Sequence, residues 1–189
     1  MKRSILLMVT ASALLALPSC GQQTETTQAT TVENTSNAET SPLAAPTSDT
    51  GQTFANTAAS SDAFELATSK LAGETSKSAD VQAFAKQMIT AHTDSTAKLK
   101  AAAASASPAI TPDPTLTAEQ QSKLAALQAK TGADFDAAYA AEQVTAHQMT
   151  LDALNTYAGT GDIPELKSFA ANTSPIVAGH LKMARALKP

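Results

Sequence analysis

Residues 81–99 read VQAFAKQMITAHTDSTAKL. Val81, Phe84, Ala85, Met88, Ser95 and Leu99 recur there at three- and four-residue steps or their sums, so at about 100° per residue they fall on one stripe. That is helical spacing and not the alternation of a half-buried strand. Ser78 supplies an N-cap and Asp80 a negative charge in the first turn, where the helix dipole favours it. Pro108, Pro112 and Pro114 break the chain after about Ala104.

Working outward, three more long helices are predicted. One runs from about Phe54 to Ser76, one from Ala133 to Ala158 before Gly159 and Gly161, and the last opens on Asp162-x-x-Glu165 with Pro164 in its first turn and reaches Leu187. Pro175 is expected to kink the last one mildly. Thr117-x-x-Gln120 has the form of a capping box and should open a short helix to about Lys130, stopped by Gly132. From Phe54 onward 34 of 136 residues are alanine, the best helix former, and no alternating β-branched run occurs. The links within the first pair and within the last pair are short, and the middle connection is long. The expected fold is therefore all-α, an antiparallel four-helix bundle of residues 54–189 whose long crossover contains a short helix. One long crossover marks the ferritin-like arrangement.

The chain begins MKRSILLMVTASALLALPSC. Lys2 and Arg3 precede an uncharged apolar run from Ile5 to Leu17, which is shorter than the roughly 20 residues that span a bilayer and fits a secretory leader. Leu17-Pro18-Ser19-Cys20 resembles the bacterial lipobox, with Pro18 its departure from the usual pattern. The resemblance implies that residues 1–19 are removed, that Cys20 becomes the lipid-modified first residue, and that the membrane is a partner through this anchor. Gly21, in place of Asp, implies the outer membrane of a diderm bacterium, with the domain in the periplasm or at the cell surface. Residues 21–53 hold ten threonines, four acidic residues and no lysine, arginine or aromatic residue. Such a segment buries too little to offset its ordering entropy, so 20–53 reads as a disordered, lipid-anchored linker.

Composition excludes several functions. A formal net charge of −4 and 4% aromatic residues leave neither a basic phosphate-binding surface nor a stacking platform, so no nucleic acid is expected. One cysteine precludes a disulfide framework. Met88, Met149 and Met183 are too scattered for a copper-binding methionine box. There is no Gly-rich phosphate loop, no Gly-x-Ser-x-Gly and no His-Glu-x-x-His, and an enzyme is not indicated.

Polar residues nonetheless fall on the apolar stripes. His92 lies near the centre of the second helix's stripe, His180 in the middle of the last, between Val177 and Ala184, and Glu65 in line with Phe54, Ala58, Thr68 and Ala72. The 133–158 helix carries Phe135, Tyr139, Ala146, Ala153 and Tyr157, with Glu142 and Gln143 in the stripe and His147 on its flank. Axial counting tests whether these groups meet. From the turn near Lys77, Glu65 and His92 differ in height by about 4–5 Å at 1.5 Å per residue; from a turn near Thr160, His180 matches Gln143 or Glu142, while His147 is out by about 10 Å. Glu65, His92, Glu142 and His180 are thus the candidate metal ligands, with Gln143, His147 and Tyr139 as supporting residues.

FANTAASSDAFELATSKLA (54–72), VQAFAKQMITAHT (81–93), FDAAYAAEQVTAHQMTLDAL (135–154) and LKSFAANTSPIVAGHLKMARAL (166–187) resemble the signature segments of a bacterial envelope family of unknown function, described as a predicted outer membrane protein. The resemblance implies a ferritin-like helical fold and an envelope location; it implies no activity. Di-iron members of the wider ferritin-like class place a glutamate three residues before each of two histidines. Here Ile89 precedes His92 and Val177 precedes His180 at that distance, so the carboxylates that would bridge two metals are missing. The first reading is therefore a lipid-anchored structural, interaction or stress-related module whose inward histidines hydrogen-bond to Glu65, Gln143 and Tyr139. The alternative is a protein that binds or senses a single Zn²⁺ or Fe²⁺ ion between its helices.

Overall fold

Ser78 accepts a hydrogen bond from the backbone N–H of Val81, and the helix carrying the 81–99 stripe starts directly after it. In the computed structural model, which describes residues 49–188, the elements are α1 (Asp49–Thr75), α2 (Ala79–Ser105), α3 (Ala118–Gln128), α4 (Gly132–Thr160) and α5 (Pro164–Ala186). The described chain is all helical, and none of its helices is long and apolar enough to cross a membrane. The leader, Cys20 and residues 21–48 of the expected linker lie outside the described residues.

Most helix ends follow local sequence rules. Thr117 and Gln120 form the reciprocal capping box at α3, with bonds of 3.2 and 2.9 Å. Gly132 adopts φ +57°, a left-handed conformation that disfavours side chains with a Cβ, and so lets the chain turn from α3 directly into α4. Three expectations need correction. The first helix starts at Asp49, five residues before Phe54. Gly159 lies within α4, which ends one residue later. The Asp162-x-x-Glu165 capping box does not form: Ile163 occupies the N-cap of α5, and the Asp162 carboxylate accepts a hydrogen bond from the Tyr157 hydroxyl at 3.0 Å. The helix α5 runs unbroken through Pro175.

The four long helices pack in the cycle α1, α2, α5, α4, and α3 lies against α1 and α4. Two apolar clusters fill the interior. One joins Phe54, Leu99, Leu154, Tyr157, Leu166, Phe169 and Val177, with Phe54 stacked on Tyr157 at 3.9 Å between centroids. The other joins Ala72, Val81, Phe84, Met88, Phe135, Tyr139 and Ala184. Along α1 the first cluster comes before the second, along α2 and α4 the second comes first, and along α5 the first does again. Hence α1 and α5 run one way and α2 and α4 the other, so every neighbouring pair in the cycle is antiparallel. Burying the two clusters supplies the main stabilisation, at about 25 cal/mol per Å² of apolar surface removed from water.

Candidate metal centre

Between the two apolar clusters each long helix gives up one turn of its stripe to polar residues. These are Asp62 and Glu65 on α1, His92 on α2, Gln143 and His147 on α4, and His180 on α5, and all six are buried. Glu65 is 2% and His147 1% exposed, so water reaches neither freely.

Hydrogen bonds set the state of two rings. Nδ1 of His92 lies 2.8 Å from Oδ1 of Asp62, and the Thr96 hydroxyl donates to the other carboxylate oxygen at 3.2 Å. Nδ1 of His147 lies 2.8 Å from the backbone carbonyl of Gln143. A carbonyl can only accept, so Nδ1 of His147 carries the proton and a neutral ring keeps a bare Nε2. The atoms left over are Nε2 of His92, Nε2 of His147 and Nδ1 of His180, each buried and without a hydrogen-bonding partner among the described residues. One ring nitrogen from each histidine lies within 4.8 Å of the other two.

The size of this triangle matters. With metal–nitrogen bonds of about 2.0–2.1 Å, three imidazoles on one ion have ring centroids about 5.2 Å apart in tetrahedral geometry and about 5.5 Å apart in a trigonal plane. The three ring pairs here are 5.5, 5.6 and 5.7 Å apart, all steeply inclined to each other. The ring spacing thus fits an ion, and the ring nitrogens, which lie within 4.8 Å of one another, would have to rotate inward by about 1 Å to reach the roughly 3.4–3.6 Å separation of three nitrogens on one ion. Imidazole nitrogens suit Zn²⁺, Fe²⁺, Cu²⁺ and Ni²⁺.

Electrostatics favour lone pairs on His147 and His180 at neutral pH, whereas a cation at the centre would have to displace the proton that Asp62 and Glu65 favour on His92. Burial, together with the neighbouring His92, holds His147 down to about 3 and His180 down to about 4. Burial also opposes charge on His92, but its hydrogen bond to Asp62 and the nearby Glu65 outweigh this and raise it. Glu65 is pushed up to about 7, chiefly by burial, against the opposing pull of His92. Its carboxylate lies 3.7 Å from Nδ1 of His147, and it is not in the three-histidine group. A divalent cation there would sit beside two buried carboxylates, those of Asp62 and Glu65, which offset its charge.

Of the residues singled out from the sequence, Glu65, His92, His180 and Gln143 are brought together. His147, expected about 10 Å out of register, is instead a full member. The α4–α5 turn centres on residue 162 and not 160, which cuts its offset from His180 to about 4–5 Å. Side chains also lean toward their own helix N-terminus, which moves the two rings closer still. Glu142 faces α3, where it pairs with Lys123 at 3.0 Å, and it does not join the histidines. Tyr139 bonds to Ser69 at 2.9 Å, and Gln143 donates to Thr68 at 3.4 Å, so neither serves a histidine nitrogen with its side chain. Asp62 was not singled out from the sequence; its position one helical turn before Glu65, on the same face, is the signal that would have found it.

A family model described as a domain of unknown function, DUF4142, matches residues 35–187, which include five helices and the whole histidine cluster. No curated protein and no solved structure matches the chain.

Proposed function

We propose that this chain, which belongs to the DUF4142 family of unknown function, holds one divalent transition-metal ion, Zn²⁺ or Fe²⁺, between its helices. The ligands are His92, His147 and His180, with Asp62 and Glu65 as flanking carboxylates. The observation that carries the reading is three buried histidines that bring one ring nitrogen each within 4.8 Å of the others, and that each keep a buried ring nitrogen with no hydrogen-bonding partner among the described residues. Two of the rings have the other nitrogen held by an oxygen acceptor, the usual support of a metal-binding histidine. A purely structural network would use those nitrogens, because an unpaired buried polar atom costs about 1–3 kcal/mol.

In this reading the bundle is the ferritin-like form, supported by the residue 106–131 crossover joining two helices that run in the same direction, but with a single-metal site. The lipobox at Cys20 would anchor it in the cell envelope, at the outer membrane, and place a metal-storing or metal-sensing module there. The test uses the full chain, purified in mild detergent without a polyhistidine tag. Elemental analysis should find about one ion per chain, and adding Zn²⁺ or Fe²⁺ to chelator-treated protein should raise its melting temperature. No bound metal and no thermal shift would leave the structural reading in its place.

A further inference from the structure

A small pocket between α2 and α5 reaches the histidine cluster from the surface. Its walls include His92, Ser95 and Lys98 on α2 and Thr173, Ile176 and His180 on α5. Its volume is about 30 Å³, enough for one water-sized molecule. The much larger cavity of about 340 Å³ between α1, α3 and α4 is lined by none of the three histidines.

Metal sites that serve only structure are closed by four protein ligands, whereas open sites have three and keep one position for an exchangeable ligand. Among the described residues the group that could hold an ion contains three histidines and no fourth ligand. The pocket is bordered by two of those three. Resting on the metal reading above, we propose that the centre is open, and that a water-sized ligand, water or a small mono-anion, enters between α2 and α5 to take the fourth position. The exposed Lys98 at the rim favours an anion, and Ile176, which is 47% exposed, forms the lip of the opening. The size of the pocket excludes organic ligands larger than a few atoms.

The test loads the full chain with Co²⁺, whose visible spectrum reports its coordination, and titrates it with sodium azide. The expected result is a saturable spectral change. Ile176→Trp, a change at an exposed position, should weaken azide binding at least tenfold while Co²⁺ uptake stays within twofold. Lys98→Glu should weaken it severalfold, more so at low ionic strength. A Co²⁺ spectrum unmoved by azide would overturn the open site while leaving the metal reading intact. Equal azide binding by the parent and both variants would overturn the route between α2 and α5. Failure to take up Co²⁺, Zn²⁺ or Fe²⁺ would overturn both readings together.

Discussion

Nδ1 of His92 on α2 lies 2.8 Å from Oδ1 of Asp62 on α1, with both side chains buried. The bond aims the opposite nitrogen of the ring away from α1. It also places a carboxylate where it can raise the basicity of that nitrogen toward a cation.

Asp62→Asn keeps an acceptor for Nδ1 but removes the charge. Metal affinity should fall by about 10–100-fold, with a change of about 1 kcal/mol or less in the stability of the metal-free protein. Competition with a chelator of known affinity measures the first and thermal melting the second. Unaltered affinity would reduce Asp62 to a packing partner of His92.

His147→Leu separates the two roles of the cluster. If the ring exists to hold metal, its removal from the metal-free protein should leave the melting temperature unchanged or raise it, because a buried nitrogen without a partner disappears. The Zn²⁺-dependent rise in melting temperature should vanish. A loss of about 1–3 kcal/mol in the metal-free state would instead mark His147 as a stabilising hydrogen-bonding member of the core.

The metal-free protein should be most stable at about pH 6.5, where the gain from the two histidines is nearly complete and before Glu65 has fully ionised. Glu65 ionises at about 7 in the fold, against an ordinary 4.5, because burial disfavours its charge. Its favourable contribution is therefore complete below pH 4.5 and is lost as pH rises to about 7, a swing on the order of 3 kcal/mol. His147 and His180 act in the opposite direction. Depressed by burial to about 3 and about 4 from an ordinary 6.5, they favour the fold above pH 6.5 and withdraw that support as pH falls. Glu65→Gln should stabilise the metal-free protein at pH 8 and have little effect at pH 4.5. Melting curves across that range check it, and a gain independent of pH would contradict the assignment.

Glu142→Gln should leave metal affinity within twofold, because this carboxylate pairs with Lys123 of α3. The lost ion pair is partly exposed and should cost less than about 1 kcal/mol. A tenfold loss of Zn²⁺ affinity would return Glu142 to the set of ligands.

Helix type and order are legible in the sequence wherever large apolar residues define a face. On α5 the predicted stripe from Leu166 to Ala184 is buried throughout. On α4 the stripe is harder to centre, because Ala137, Ala138, Ala140, Ala141 and Ala146 define no face by size. His147 therefore looks peripheral in the sequence, although it lies on the buried line Phe135, Tyr139, Gln143, His147, Leu154. Asp62 is obscured for a related reason: it lies in the polar run Ser60-Ser61-Asp62, which reads as solvent-facing until its neighbours are known. The Asp162 capping box is out of register because α5 starts one residue later than the motif requires, with Ile163 at its N-cap, while Asp162 accepts from the Tyr157 hydroxyl.

The crossover spanning residues 106–131 divides the bundle into two hairpins, α1–α2 and α4–α5, and the histidines are divided between them, His92 on the first and His147 and His180 on the second. An ion bound by all three rings would be a rivet between the halves. Separation of the hairpins would then require its release, so metal loading should slow amide hydrogen exchange most where α2 faces α5 and α1 faces α4. The same division delays the site: a growing chain cannot present it until its last helix has emerged and docked.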